Sequence, residues 1–72
     1  MSIVLHLDEV MVRKHVKLTE LARAVGITNA NMSNLKTGKV KAIRFSTLNA
    51  ICEYLECQPG DIISYEQGSP SE

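Results

Sequence analysis

The sequence has 72 residues, of which 44% are hydrophobic and 22% are charged, and its formal net charge is zero. A chain of this length folds as one domain with a modest core, and its short apolar runs exclude a transmembrane span. Its first residues lack the basic region of a signal peptide and are soon followed by Asp8 and Glu9, so we expect a cytoplasmic protein.

The N-terminal part of the chain predicts a strand followed by two helices. Residues 2–6 form a short apolar, β-branched run, which is typical of a strand. A helical period begins at Leu7, with two acids in its first turn, and this helix is expected to end near His15. Hydrophobic side chains in residues 18–25 repeat with the same period, and Gly26 supplies a left-handed stop for the second helix.

A third helix is predicted over residues 28–37. Thr28 is a good N-cap residue, and Gly38 ends the helix. Residues 39–43 are expected to form a loop whose two larger hydrophobic side chains reach the core. A fourth amphipathic helix is predicted to start near Phe45, because hydrophobic residues again recur at helical spacing.

The C-terminal part predicts a short helix, a strand and a tail. Pro59 suits the first position of a helix, and an acid follows in the same turn. Residues 62–66 have the composition of a closing strand, whereas residues 67–72 are polar and predict a flexible tail. Residues 1–66 are therefore expected to form the single domain.

Charge is strongly segregated along the chain. Residues 13–44 hold all eight basic residues and a single acid, Glu20, which gives this segment a charge of +7. Residues 1–12 carry −2 and residues 45–72 carry −5. Such segregation indicates a polyanionic partner for the basic side of the molecule, with the acidic side facing away.

The outward face of the third helix is short-chained, polar and uncharged. With about 100° between successive residues, Met32 and Leu35 face the core. The opposite arc holds Asn29, Ala30, Ser33, Asn34 and Thr37. Asn reads adenine with two hydrogen bonds, Ser contacts several bases, and Ala touches the thymine methyl group. We therefore predict that the first four of these residues contact bases of double-stranded DNA; the alternative is that they serve only as cap and turn residues.

Basic residues follow this helix closely. Lys36, Lys39 and Lys41 lie at its end and in the next loop, and Arg44 opens the fourth helix. Side chains placed there flank a DNA groove and neutralise backbone phosphates, which fixes the register of the protein without reading sequence. We therefore predict phosphate contacts for these four residues.

No catalytic, metal or cofactor site is predicted. Cys52 and Cys57 lie five residues apart on or near one helix, so they are expected to point in different directions and to remain reduced core thiols. No metal-ligand spacing accompanies them, and His6 and His15 have no evident partners in the sequence. Without a nucleophile–base pair or a phosphate loop, we expect no enzymatic activity and no small-molecule ligand.

The central part of the sequence resembles the helix-turn-helix of the Cro and lambda-repressor superfamily, often called the Xre family. The matching positions are Leu21, Ala22, Val25, Gly26, Ile27, Met32, Leu35 and Gly38. The likeness covers roughly residues 7–63, and its later part resembles a subset of small bacterial regulators. By this resemblance, residues 1–66 form a compact, all-α domain of five helices, with the helix-turn-helix unit at residues 18–37.

The resemblance also implies a function and a set of contacts. It describes a sequence-specific transcriptional regulator, a repressor, whose third helix enters the major groove. The base-contacting positions of the family coincide with Asn29, Ala30, Ser33 and Asn34. Thr28 and Asn31 fall near sugar or phosphate, and Thr37 joins them at the end of the helix.

Two positions depart from the family pattern. Lys17 and Leu18 stand where a Ser or Thr cap followed by Gln is common, which removes a usual phosphate contact; Lys17 is its replacement. Ala30 stands where a longer side chain is common, so direct base readout is expected to be thin.

A homodimer is expected, because regulators of this kind read two half-sites about 34 Å apart. One candidate surface is the pair of terminal strands, at about residues 2–6 and 62–66, which pair either within one chain or between two. The other lies around Phe45, Tyr54 and Ile63; alternatively, these residues only complete a monomer core. The competing function is a protein-interaction or antitoxin-like module with the same fold, which the apolar chain ends favour and the basic segment disfavours.

Overall fold

A computed structural model describes residues 2–67 of the chain. These residues form five helices and one two-stranded antiparallel sheet. The elements follow in the order β1 (Ser2–Leu5), α1 (Leu7–Lys14), α2 (Leu18–Val25), α3 (Asn29–Thr37), α4 (Phe45–Leu55), α5 (Pro59–Ile62) and β2 (Ile63–Glu66). The five-helix fold class and the pairing of the terminal strands are thereby confirmed. The part of the predicted tail that follows residue 67 lies outside the described residues. Across the described part of the chain, each helix is too short or too polar to cross a membrane.

Two glycines end the helices on either side of the central turn. Gly26 closes α2 with φ +87°, and its N–H donates to the carbonyl of Ala22 at 2.8 Å. Gly38 closes α3 with φ +76°. Residues with a Cβ atom are strained in this left-handed region, so both stops depend on glycine. The observed α3 begins at Asn29, one residue later than predicted, because Thr28 is the cap that precedes it.

The core is formed by one side of every helix. Its buried members are Leu7, Val10, Met11, Leu21, Ala22, Met32, Leu35, Leu48, Ile51, Leu55 and Ile62. Ala22 of α2 is fully buried in this core, where its side chain occupies little volume. Val40 and Ile43, from the loop after α3, pack against this core as the sequence predicted.

The terminal strands pair within one chain. Ser2 lies opposite Glu66 and Leu5 lies opposite Ile63 in an antiparallel register. Of the two alternatives that the sequence left open, the structure therefore has pairing within one chain and not between two chains.

His6 links the start of α1 to β2. The backbone N–H of His6 donates to the carbonyl of Ile62 at 2.6 Å. The ring Nε2 of His6 lies 2.7 Å from Oγ of Ser64. Its Nδ1 lies 3.2 Å from a carboxylate oxygen of Glu9, and its Nε2 lies 3.8 Å from one of Glu66. The prediction that His6 has no partner was therefore wrong, because three of these four residues come from the far end of the chain.

The two cysteines come together at the end of α4. Glu56 adopts a left-handed conformation with φ +52°, and the N–H of Cys57 then donates to the carbonyl of Cys52 at 3.1 Å. This reversal brings the two side chains together, as expected for residues that bracket such a helix end. Burial raises the pKa of the Cys57 thiol, and the adjacent Cys52 raises it further through charge and a hydrogen bond. Both thiols are free, but the prediction that they point apart was wrong.

A hydrogen bond between Tyr54 and Glu20 joins α4 to α2. The phenol hydroxyl donates to the carboxylate, and this bond, followed by burial and the negative charge of Glu20, raises the pKa of Tyr54 above its usual value. The protonated phenol therefore stabilises the folded state below pH ~10, and this contribution is lost as the pH rises through the higher folded pKa.

We expect Tyr54→Phe to lower the free energy of unfolding at neutral pH, with a gap from the native chain that closes above pH ~10. Thermal unfolding of both proteins across this pH range measures the gap. Tyr65→Phe removes the same hydroxyl from β2 and serves as the control. A gap that stays constant with pH would contradict the assignment.

Candidate nucleic-acid interface

The outward arc of α3 is available to a partner. Asn29, Ala30 and Asn34 are exposed, and Ser33 is half-buried on the same side. Met32 and Leu35 are buried on the opposite side, where they hold the helix against the core. The helix thus presents hydroxyl and amide groups on a rigid element, without a charged residue among these four.

Thr28 caps α3 and also retains a free donor. Its Oγ1 accepts a hydrogen bond from the N–H of Asn31 at 3.1 Å, and its backbone has the extended conformation of an N-cap. The hydroxyl proton of Thr28 does not take part in this bond, so it is available to a phosphate oxygen. The side-chain amide of Asn31 is exposed beside it.

We expect Thr28→Ala to lower the free energy of unfolding by about 0.5–2 kcal/mol, because the N–H of Asn31 loses its acceptor. Chemical denaturation followed by circular dichroism measures this loss. Thr19→Ala, which removes an exposed threonine hydroxyl from the first turn of α2, is the matched control and should stay within ~0.5 kcal/mol of the native chain. Equal losses in both variants would contradict the capping role.

Thr37 has a competing bond inside the helix. Its hydroxyl donates to the carbonyl of Ser33 at 2.9 Å, with a longer approach of 3.4 Å to the carbonyl of Asn34. A phosphate oxygen requires a donor, so Thr37 has to give up this helical bond before it can contact DNA.

An open depression of ≈390 Å³ joins α3 to the start of α4. It brings together Asn31 and Asn34 from α3 with Arg44, which precedes α4. Thr47 lines the same depression and was not singled out from the sequence, because it lies 13 positions after Asn34. Thr47 lies in the first turn of α4, whose N-cap residue Arg44 makes no side-chain capping hydrogen bond.

Four basic side chains lie in the segment from the end of α3 to the residue before α4, and Arg44 among them lines the depression. Lys36, Lys39, Lys41 and Arg44 are all exposed. Within residues 2–67, the ion pairs join His6 to Glu9 and Glu66, and no lysine or arginine is paired with a carboxylate of that range. Surface cations attract polyanions most strongly when no neighbouring carboxylate neutralises them.

Lys17 occupies the N-cap position of α2. Its backbone is extended, no side-chain hydrogen bond caps the helix, and its side chain is exposed. The first N–H groups of α2 therefore remain without a side-chain acceptor, next to a positive charge. Among the described residues, no group of three or more His, Cys, Asp or Glu side chains is placed to hold a metal ion.

Comparison of the sequence with known proteins finds a family and a relative. Residues 6–68 match the family model described as a Cro/C1-type HTH DNA-binding domain. The chain is also 55% identical over 65 residues to YozG of Bacillus subtilis (strain 168), which is named an uncharacterized HTH-type transcriptional regulator. The matched region covers 90% of this chain and 77% of that relative.

Proposed function

The chain belongs to the Cro/C1-type helix-turn-helix DNA-binding family, and we propose on this premise that it is a sequence-specific transcriptional regulator that acts as a repressor. The name of the Bacillus subtilis relative supports the regulatory role. The observation that carries the proposal is the exposed, uncharged arc of α3, which is followed along the chain by exposed cations that pair with no carboxylate among residues 2–67. Such a protein works where the chromosome is, in the bacterial cytoplasm.

In this proposal α3 lies in the major groove. Asn29 and Asn34 form bidentate hydrogen bonds with base edges, Ser33 contributes a single hydroxyl, and Ala30 contacts a thymine methyl group. The exposure of both amides supports this assignment, as does the burial of Met32 on the opposite side. Four short side chains give a limited code, so much of the affinity has to come from the DNA backbone.

The backbone contacts are assigned to two groups of residues. Lys17, Thr28 and Asn31 lie at the starts of α2 and α3. The second group lies at the end of α3 and beyond it, and consists of Lys36, Thr37, Lys39, Lys41 and Arg44. Thr37 is the weakest member, because its hydroxyl already donates within the helix.

We expect each basic residue that contacts a phosphate to contribute about 0.9 to the slope of log K against log salt. Lys39→Ala therefore lowers this slope by about one unit, with similar losses of affinity for specific and scrambled DNA. Fluorescence anisotropy at several salt concentrations measures both quantities.

Lys14→Ala is the matched control for this experiment. Lys14 lies in the last turn of α1, outside the segment of α3 and the following loop to which the phosphate contacts are assigned. A slope that falls equally in both variants would show that general charge, and not a phosphate contact, accounts for the loss.

Selection of bound sites from random DNA tests the proposed function as a whole. We expect enrichment of an inverted repeat whose half-sites lie about 10 base pairs apart, as a homodimer requires. A promoter overlapping that site should lose activity when the protein is present. No enrichment even at low salt would overturn the proposal and favour the protein-interaction module, for which the exposed side chain of Phe45 argues.

A further inference from the structure

The two cysteines of the chain form a pair that the proposed function does not use. They are the only cysteines in the sequence, and both thiols are free. Cys52 lies in the last turn of α4, and Cys57 is the second residue after this helix. Glu56, between them, is left-handed and turns the chain back, so that the N–H of Cys57 donates to the carbonyl of Cys52 at 3.1 Å. The main chain itself therefore holds the two residues together.

This backbone bond sets a separation that suits a disulfide. From standard bond lengths, an N–H···O=C hydrogen bond leaves the Cα atoms on its two sides about 5–6.5 Å apart. Disulfides join residues whose Cα atoms lie about 4.4–6.8 Å apart and whose Cβ atoms point to the same side. Cys52 and Cys57 also line the same groove. A disulfide between them therefore requires rotation of the two side chains and little movement of the main chain.

The groove gives a small reagent access to both thiols. Its volume is ≈630 Å³, and each cysteine is half-buried in its wall. The other residues that line it are Phe45, Leu48, Asn49, Gln58, Pro59 and Ile63. None of these residues is charged, so a neutral oxidant enters without displacing the water that surrounds a charge.

We propose that Cys52 and Cys57 form a redox site, at which a hydroperoxide oxidises the two thiols to an intramolecular disulfide. In the first step a thiolate sulfur attacks a peroxide oxygen, the O–O bond breaks, and a sulfenic acid forms as an alcohol or water leaves. In the second step the other sulfur attacks the sulfenic sulfur, the S–S bond forms, and water leaves. The two thiols lose two electrons, which the hydroperoxide gains, and a small dithiol reverses the change. This proposal does not rest on the proposed function.

The surroundings of Cys57 assign the order of the two steps. Burial raises the pKa of its thiol, and the charge of Cys52 and a hydrogen bond with it raise this pKa further. The charge of Asp61 acts in the same direction, whereas the charge of Lys14 lowers the pKa. Because the thiolate is the nucleophile, Cys52 attacks the hydroperoxide and Cys57 then attacks the sulfenic acid of Cys52.

Mass spectrometry of the full chain after treatment with hydrogen peroxide tests the proposal. We expect the native monomer to lose two hydrogen atoms from its cysteines and to regain them with dithiothreitol. Cys57→Ser should instead keep one oxygen atom on Cys52 as a sulfenic acid, which dimedone traps. Cysteines that gain oxygen without forming a disulfide, or a disulfide that joins two chains, would overturn the proposal.

Cys52→Ser is the matched variant for the order of attack. It retains the thiol of Cys57 together with the burial that is the largest cause of its raised pKa. Its oxidation by hydrogen peroxide at pH 7 should therefore be several-fold slower than that of Cys57→Ser. Equal rates in the two variants would overturn the assignment of Cys52 as the residue that reacts first.

Thermal unfolding shows whether the disulfide fits the native fold. A bond that closes this short loop restricts the unfolded chain, so oxidation should raise Tm by about 5–15 °C, and dithiothreitol should reverse the rise. A variant with both cysteines replaced by serine is the control, because it reports the effect of peroxide on the three methionines. A Tm that falls when the disulfide forms would show that the bond distorts the native end of α4, and would overturn the proposal.

DNA binding is a separate measurement, because the redox site shares no residue with the assigned DNA contacts. A reduced protein that forms the disulfide normally but lacks specific DNA binding would reject the proposed function alone. A protein that binds its operator but forms no intramolecular disulfide would reject the redox site alone.

Discussion

Replacing Asn29 and Asn34 together by alanine is expected to remove most of the preference for the operator over scrambled DNA. Each bidentate contact contributes about 1–3 kcal/mol of discrimination, which corresponds to roughly 5-fold to 150-fold per residue. Affinity for scrambled DNA should change little, because the double substitution leaves every charge in place. The measured quantity is the ratio of the two dissociation constants at one fixed salt concentration.

Asn31→Ala is the control for this experiment. It removes the same side chain from the same helix, at an exposed position assigned to the DNA backbone. We expect similar losses of affinity for operator and scrambled DNA and an unchanged ratio. If the double variant keeps its discrimination, or if Asn31→Ala loses as much, the assignment of base-reading residues is wrong.

Leu21→Ala is expected to have the largest effect on stability. Leu21 is 0% exposed and lies in the shared core of the helices, so its truncation leaves a cavity that the rigid turn after α2 cannot easily close. Such changes cost about 2–5 kcal/mol, whereas a domain of this size has a total stability of only about 4–10 kcal/mol. Each kcal/mol lowers Tm by about 4–8 °C, so the variant should melt tens of degrees below the native chain.

Val12→Ala provides the comparison. Val12 is also a branched aliphatic residue in a helix, but it is 71% exposed, so its truncation should change the free energy of unfolding by less than about 0.5 kcal/mol. Thermal unfolding by circular dichroism measures both variants. A similar Tm for Leu21→Ala and Val12→Ala would contradict the role of Leu21 in the core.

The helix boundaries could be predicted because their signals are local. Gly26 and Gly38 adopt the left-handed conformation that their position after a hydrophobic repeat indicates, and Thr28 accepts the predicted capping bond. Each signal depends on residues no more than four positions away. The outward arc of α3 followed from the same helical period.

Features that depend on distant or unusual backbone geometry could not be predicted. The meeting of Cys52 and Cys57 requires a left-handed residue, and Glu56 carries none of the signals of one, since it is not glycine or asparagine. The bond between His6 and Ser64 spans 58 positions, and nothing in either neighbourhood indicates it. Local periodicity contains no information on which remote residues become neighbours.

The residues of the candidate site could be predicted from the sequence, but their hydrogen bonds could not. Sequence spacing placed Asn34 and Thr37 on one arc, yet only the structure shows that Thr37 donates to the carbonyl of Ser33. It also brings Thr47 into the depression shared with Asn34 and Arg44, because the loop after α3 returns the chain to that helix.

The pairing of β1 with β2 is expected to form late in folding, because it joins the two ends of the described chain. Leu5 leaves the ribosome long before its partner Ile63, and closing a loop of this length costs about 3–4 kcal/mol of chain entropy. Two short strands do not offset that cost alone, so the helices have to bring Leu7 and Ile62 into the core first. We therefore expect the sheet to form last and to open first, so that hydrogen exchange is fastest there. A factor that binds the newly made N-terminal strand should therefore delay the formation of the sheet but not the formation of the helical core.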